Sequence, residues 1–196
     1  MTRHWIRSAL AIGVSLLSTA CLPVASTSPI GSTAGYRPDP QLTGMWKTRP
    51  GESSTAYFTF FPQDDGSMKV VFVEPPASGD KGGWMNFDIR TAVLGAYTYM
   101  DARETEDAGK PGDPKLAHVP VLYRAGADGS LVLYLMDDDA AKAAVRAGKI
   151  PGTVEQGEYG DVTLIASPAA LDAFLASPAG RAMFTKPFVA LERIKS

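Results

Sequence analysis

The stretch Gly83-Trp84-Met85-Asn86-Phe87-Asp88-Ile89-Arg90-Thr91-Ala92-Val93 decides the fold. Met85, Phe87, Ile89 and Val93 fall on one parity, and Trp84, Asn86, Asp88 and Arg90 on the other. Successive side chains of an extended chain point to opposite faces, so this alternation predicts a half-buried β-strand.

The same rhythm extends both ways. From Leu42 onward, short apolar runs alternate with turn signals at intervals of roughly ten residues, as in antiparallel sheets and barrels. Strands are predicted near 42–48, 55–61, 67–74, 83–93, 96–101, 118–124, 130–136, 159–166 and 187–194. Asp64-Asp65-Gly66 and Asp128-Gly129 supply residues that tolerate positive φ in tight hairpins. Leu131, Leu133 and Leu135 share one face of their strand, while Val132, Tyr134 and Met136 share the other. Apolar residues on both faces predict a strand covered on both sides. With 19 Gly and 15 Pro in 196 residues, turns are favoured over long helices. The predicted fold class is mainly β: a single antiparallel barrel or strongly curved sheet of about eight or nine strands, with two short helices late in the chain.

The first helix opens at Asp137-Asp138-Asp139 and closes through Lys142, Arg146 and Gly148. Early acids, late bases and a following Gly suit the helix dipole and the C-cap. The second starts at Ser167-Pro168, an N-cap followed by Pro, with Leu171, Phe174 and Leu175 at helical spacing. Ser177-Pro178-Ala179 repeats that signal and predicts a restart into a short helical turn carrying Met183 and Phe184. The charged run from Ala102 to Lys115 reads as a long solvated loop.

Arg3 and Arg7 precede a short apolar run from Ala9 to Leu17, followed by small residues, which is the pattern of a signal peptide. That run is about half of the roughly 20 residues needed to span a bilayer as a helix. It ends in Leu17-Ser18-Thr19-Ala20-Cys21, which resembles the lipobox of bacterial lipoproteins. The resemblance implies cleavage after Ala20 and acylation of Cys21. Leu22 stands where an Asp would retain the protein at the inner membrane, so the periplasmic face of the outer membrane is expected. Plain secretion is the alternative. Cleavage removes two basic residues and no acids, making the net charge two units more negative than −2. Residues 22–40, rich in Ser, Thr, Pro and Gly, read as a flexible tether. The expected organisation is therefore a signal peptide at 1–20, a lipidated Cys and tether at 21–40, and a β-rich domain at 41–196.

Chemistry is sparse. Nineteen Lys and Arg against 21 Asp and Glu give no basic footprint for nucleic acid. One Cys excludes an intrachain disulfide framework and a multi-thiolate zinc site. No Gly-x-Ser-x-Gly, His-Glu-x-x-His or phosphate-loop motif occurs. His118 beside Val119-Pro120 reads as a strand-end histidine, and Asp137-Asp138-Asp139 as helix caps rather than a cation site. No catalytic residue, metal site or cofactor is expected.

One surface stands out. With Leu94-Gly95 as a two-residue turn, Arg90 faces Tyr99 and Asp88 faces Asp101. Trp84, Asn86, Asp88, Arg90, Tyr97, Tyr99 and Asp101 then share one side, a candidate binding face of aromatic plates beside charges. The same residues also read as the solvent side of an ordinary hairpin.

Gly44-Met45-Trp46 opens the first predicted strand and Arg193 lies in the last. This pair resembles the lipocalin or calycin pattern, in which a Gly-x-Trp and a late Arg pack across the closed end of an up-and-down barrel. The resemblance implies structural roles for Trp46 and Arg193 and a cavity for an apolar ligand. Phe58, Phe60, Val70 and Phe72 would line that cavity or fill an ordinary core. The expected function is a non-enzymatic envelope lipoprotein: membrane-anchored through Cys21, binding a small apolar ligand or lipid. An envelope scaffold using the aromatic-charged face is the second reading. A hydrolase of envelope polymers, using His118 or a carboxylate pair, is the third.

Overall fold

The computed structural model of the protein describes residues 24–77, 81–105, 118–155 and 162–195. The expected signal peptide, the lipobox-like stretch and Cys21 lie outside the described residues, as do 106–115 of the predicted loop.

Eight antiparallel strands close a barrel. In chain order they are β2 (Gly44–Thr48), β3 (Tyr57–Pro62), β4 (Met68–Glu74), β5 (Gly83–Leu94), β6 (Tyr97–Glu104), β7 (Val119–Ala125), β8 (Ser130–Leu135) and β11 (Val189–Arg193). Each pairs with the next, and β11 returns to pair with both β8 and β2. Closure leaves no sheet edge unpaired. β6 continues through Glu104, into the stretch read as the start of a loop.

Parity decides what is inside. Register places Trp46 opposite Phe58 and Arg193, Val70 opposite Phe60 and Phe87, and Met68 opposite Ile89. The apolar side chains among these, with Met100, Val121, Leu131, Leu133, Val189 and Leu191, pack as one core within the barrel.

A second core lies against the outer face of β5–β8. Leu94, Tyr99 and Leu122 point outward from the barrel and pack under helices and a small sheet. That layer comprises α1 (Asp138–Arg146), α2 (Pro168–Ala176), α3 (Pro178–Arg181) and a three-stranded sheet. The sheet order is β1 (Val24–Ser26), β10 (Val162–Leu164) and β9 (Gly152–Val154). Met136 is buried in this second core and Tyr134 packs against it, so β8 and the residue after it are covered on both sides. Asp137 caps α1 by accepting from the Ala140 amide. Ser177 caps α3 immediately after α2 ends.

Three expectations need correction. First, residues 24–40 are not a tether. β1 pairs in parallel with β10, Val24 and Ile30 are buried, and Asp172 in α2 accepts from the Gly31 and Thr33 amides at 2.6 and 3.0 Å. All these partners lie far along the chain, where local composition gives no sign of them. Second, the predicted strand at 159–166 is β10 and belongs to this small sheet instead of the barrel; β9 had no strand signal. Third, the β5–β6 turn is Gly95-Ala96, since Leu94 pairs with Tyr97. Gly95 takes φ +63°, a conformation that costs Leu far more, and Leu94 is buried instead. Arg90 therefore faces Asp101, and Asp88 faces Arg103.

Candidate functional site

The barrel interior is filled at one end and open at the other. At the filled end the Trp46 indole donates to the Leu42 carbonyl at 2.8 Å, and the Arg193 guanidinium stacks over the ring at 4.3 Å. Arg193 also donates to the Gln41 and Thr43 carbonyls, tying the last strand to the entry of the first. Tyr123 donates to Asp39 at 2.8 Å, and burial together with that carboxylate pushes its phenol far above its ordinary value.

Toward the other end the side chains stop meeting. A cavity of about 290 Å³ remains, walled by Phe58, Phe60, Phe72, Met85, Phe87 and Leu135 among others. Phe58 and Phe72 face each other with ring centroids 5.0 Å apart. Phe72, Met85 and Phe87 are only half-buried although they point inward. Glu74 enters the same space: it is 9% exposed, and its Oε2 atom is buried without a hydrogen-bond partner. Its inward parity is legible in the alternation of Met68, Val70, Phe72 and Glu74 along β4, but an acid at a strand end carries no local sign of a cavity.

The proposed aromatic-charged face is divided. Trp84, Asp88 and Arg90 are exposed on the outer side of β5, and Asn86 is half-buried. Trp84 lies across from Val73, which is also exposed. Tyr99 does not belong to this face: it is fully buried beneath α2 and α3, donating to the Leu175 carbonyl at 3.0 Å and meeting Phe184 edge-on. Tyr97 is half-buried there, under the Arg181 guanidinium. The late helices cover these residues, which hairpin periodicity alone does not reveal.

Arg90, Asp88 and Asp101 instead line an outer cleft of about 780 Å³, with Tyr36, Lys69, Arg103 and His118. Its charges are largely matched within the protein. Arg90 pairs with Asp65 at 3.0 Å and stacks on Tyr36, while Lys69 lies 3.6 Å from Asp88. Burial, then the Asp101 charge, raises the Tyr36 phenol above its usual range, against the opposing pull of Arg90. At the cleft floor His118 Nδ1 lies 2.8 and 2.9 Å from the two oxygens of the buried Asp101. A carboxylate that orients an imidazole is one part of nucleophilic machinery. Among the described residues no hydroxyl is hydrogen-bonded to this ring, and no group of three or more potential ligands suits a metal. Nor is any described helix long and apolar enough to cross a membrane.

No family model, curated protein or solved structure matches the chain. The architecture itself defines the class: an eight-stranded antiparallel barrel, compatible with a lipocalin-like fold, with three short helices late in the chain.

Proposed function

We propose that this protein is a cell-envelope lipoprotein whose barrel binds a small apolar ligand or lipid, held at the membrane by an acylated Cys21. The observation that carries the reading is the unfilled apolar space at one end of an otherwise packed barrel. Protein interiors pack to crystal-like density, and an apolar opening lined by aromatic side chains is the usual form of a small-molecule site. At about 290 Å³ the space sits near the lower limit of small-molecule pockets, which run from roughly 300 Å³ upward. It suits one slender chain or a small ring better than a two-chain lipid. Each buried methylene would contribute about 0.8 kcal/mol, enough for useful affinity from a short chain.

Native mass spectrometry of the chain from Leu22 onward, which retains β1, tests this. A discrete mass increment that organic extraction removes supports the carrier. A bare mass, together with no uptake of added apolar compounds, rejects it.

The second reading, an envelope interaction protein, draws support from the exposed Trp84–Val73 pair on the outer face of β4 and β5. Cross-linking from position 84 in intact cells separates the two: a discrete protein adduct favours the scaffold.

A further inference from the structure

We propose that the barrel ligand is a single-chain amphiphile with an amine head, seated on the Glu74 carboxylate while its tail occupies the aromatic cavity. This deepens the carrier reading and rests on it. Three observations lead there.

Glu74 ends β4 on the inward parity, following Met68, Val70 and Phe72, so the strand itself aims the side chain at the cavity. Its Oε2 is buried with no partner. An unpaired buried acceptor is expensive, and a carboxylate oxygen more so than a neutral one. A turn of the carboxyl toward the cavity would let a ligand donor satisfy it.

Two other polar side chains at this opening are already engaged. Thr48 Oγ1 donates to the Ser54 carbonyl at 3.0 Å and accepts from the Ala56 amide at 3.1 Å. Glu52 Oε1 accepts from the Ala190 amide at 3.1 Å. Among the described residues lining the cavity, Glu74 is the one with a buried side-chain oxygen that lacks a partner.

The charge at the opening chooses the head. Among the described residues lining the cavity, the ionisable ones are the acids Glu52 and Glu74, with no Lys, Arg or His. An anionic head would meet like charge in a partly desolvated place, whereas an ammonium supplies both the missing donor and the opposite charge. A fatty acid is the wrong guest for this barrel.

The test uses the full chain and three probes of equal tail length: octylamine, octanol and octanoate. Each displaces a fluorescent apolar dye at fixed pH and ionic strength. Octylamine should bind tightest, at least about tenfold more tightly than octanoate, as expected for a charge-assisted contact. Glu74→Gln should erase most of that preference while keeping the shape of the side chain. If octanoate equals or exceeds octylamine, or if Glu74→Gln leaves the ranking intact, the head-group inference falls and the cavity reading stands. If none of the three displaces the dye, both fall. The wild-type ranking decides even where the variant does not fold.

Discussion

The Arg193 guanidinium lies 4.3 Å from the centre of the Trp46 ring, joining the last barrel strand to the first at the closed end. Stacking, two donations to loop carbonyls and a register pair all pass through this one arginine. Arg193→Ala should lower stability by about 2 kcal/mol, the sum expected for a partly exposed cation–π contact and lost charged hydrogen bonds. Arg193→Lys should recover only part, because an ammonium cannot fork to two carbonyls while stacking flat. Urea denaturation followed by tryptophan fluorescence measures both; equal stability for Ala and wild type would remove the barrel-closing role.

Asp172 anchors the segment that runs from β1 to the barrel. Asp172→Ala strands two backbone amides and the Thr33 hydroxyl, which it serves from a 5%-exposed position. A loss of about 2–3 kcal/mol is expected. Hydrogen exchange at Gly31 and Thr33 should quicken by orders of magnitude while β7 and β8 change little.

Gly31 offers a sharper test of the same docking. A Cβ there would sit 2.2 Å from the Ala92 Cβ, and the residue adopts φ +81°. Gly31→Ala should cost about 2–4 kcal/mol, through overlap and backbone strain together. Adding Ala92→Gly should relieve the overlap but not the strain, so thermal denaturation should show partial rescue. Full tolerance of Gly31→Ala would mean that the segment is not held there.

Alkaline titration reports the two cores separately. Burial beneath the helices pushes the Tyr99 phenol from 10.0 up to about 12, and Tyr123 inside the barrel goes higher still. A folded-state value raised above the unfolded one means the native state keeps its proton longer. The stabilising contribution is therefore whole below pH 10 and is lost as pH rises from about 10 through about 12 for Tyr99. It amounts to something on the order of 2–3 kcal/mol for that residue. Ultraviolet titration should show these two ionising only with unfolding. Tyr99→Phe should flatten the loss of stability over that window.

His118 and Asp101 form a partly buried pair at the cleft floor. His118→Ala leaves the Asp101 carboxylate without its imidazole and should cost about 3 kcal/mol. Asp101→Asn in the same background should restore part of that, since no unpaired charge remains inside. A double variant no more stable than His118→Ala would show that the lost packing, not the stranded charge, dominates.

Much of the barrel was legible from residue order alone. Period-two alternation and Asp-Gly turns mark its strands, because pleating and hairpin geometry are local properties. The same parity assigned Phe58, Phe60, Val70 and Phe72 to one interior face. The candidate binding face was less legible. Trp84 and Arg90 are exposed, but Tyr99 sits under helices whose placement depends on contacts more than seventy residues away.

What the amino-acid sequence determined by itself was the class of fold, the approximate place of the barrel strands and the inward parity of β3 and β4. These follow from steric alternation within a few residues. Tertiary structure decided the rest. Only packing shows that residues 24–40 dock onto α2 and β10, since Asp172 is 141 residues from Gly31. Only closure of eight strands shows that the interior empties toward one end, and that Glu74, whose buried Oε2 has no hydrogen-bond partner, lines that space. A cavity is the difference between volumes brought together from distant strands, and no local pattern encodes a difference of that kind.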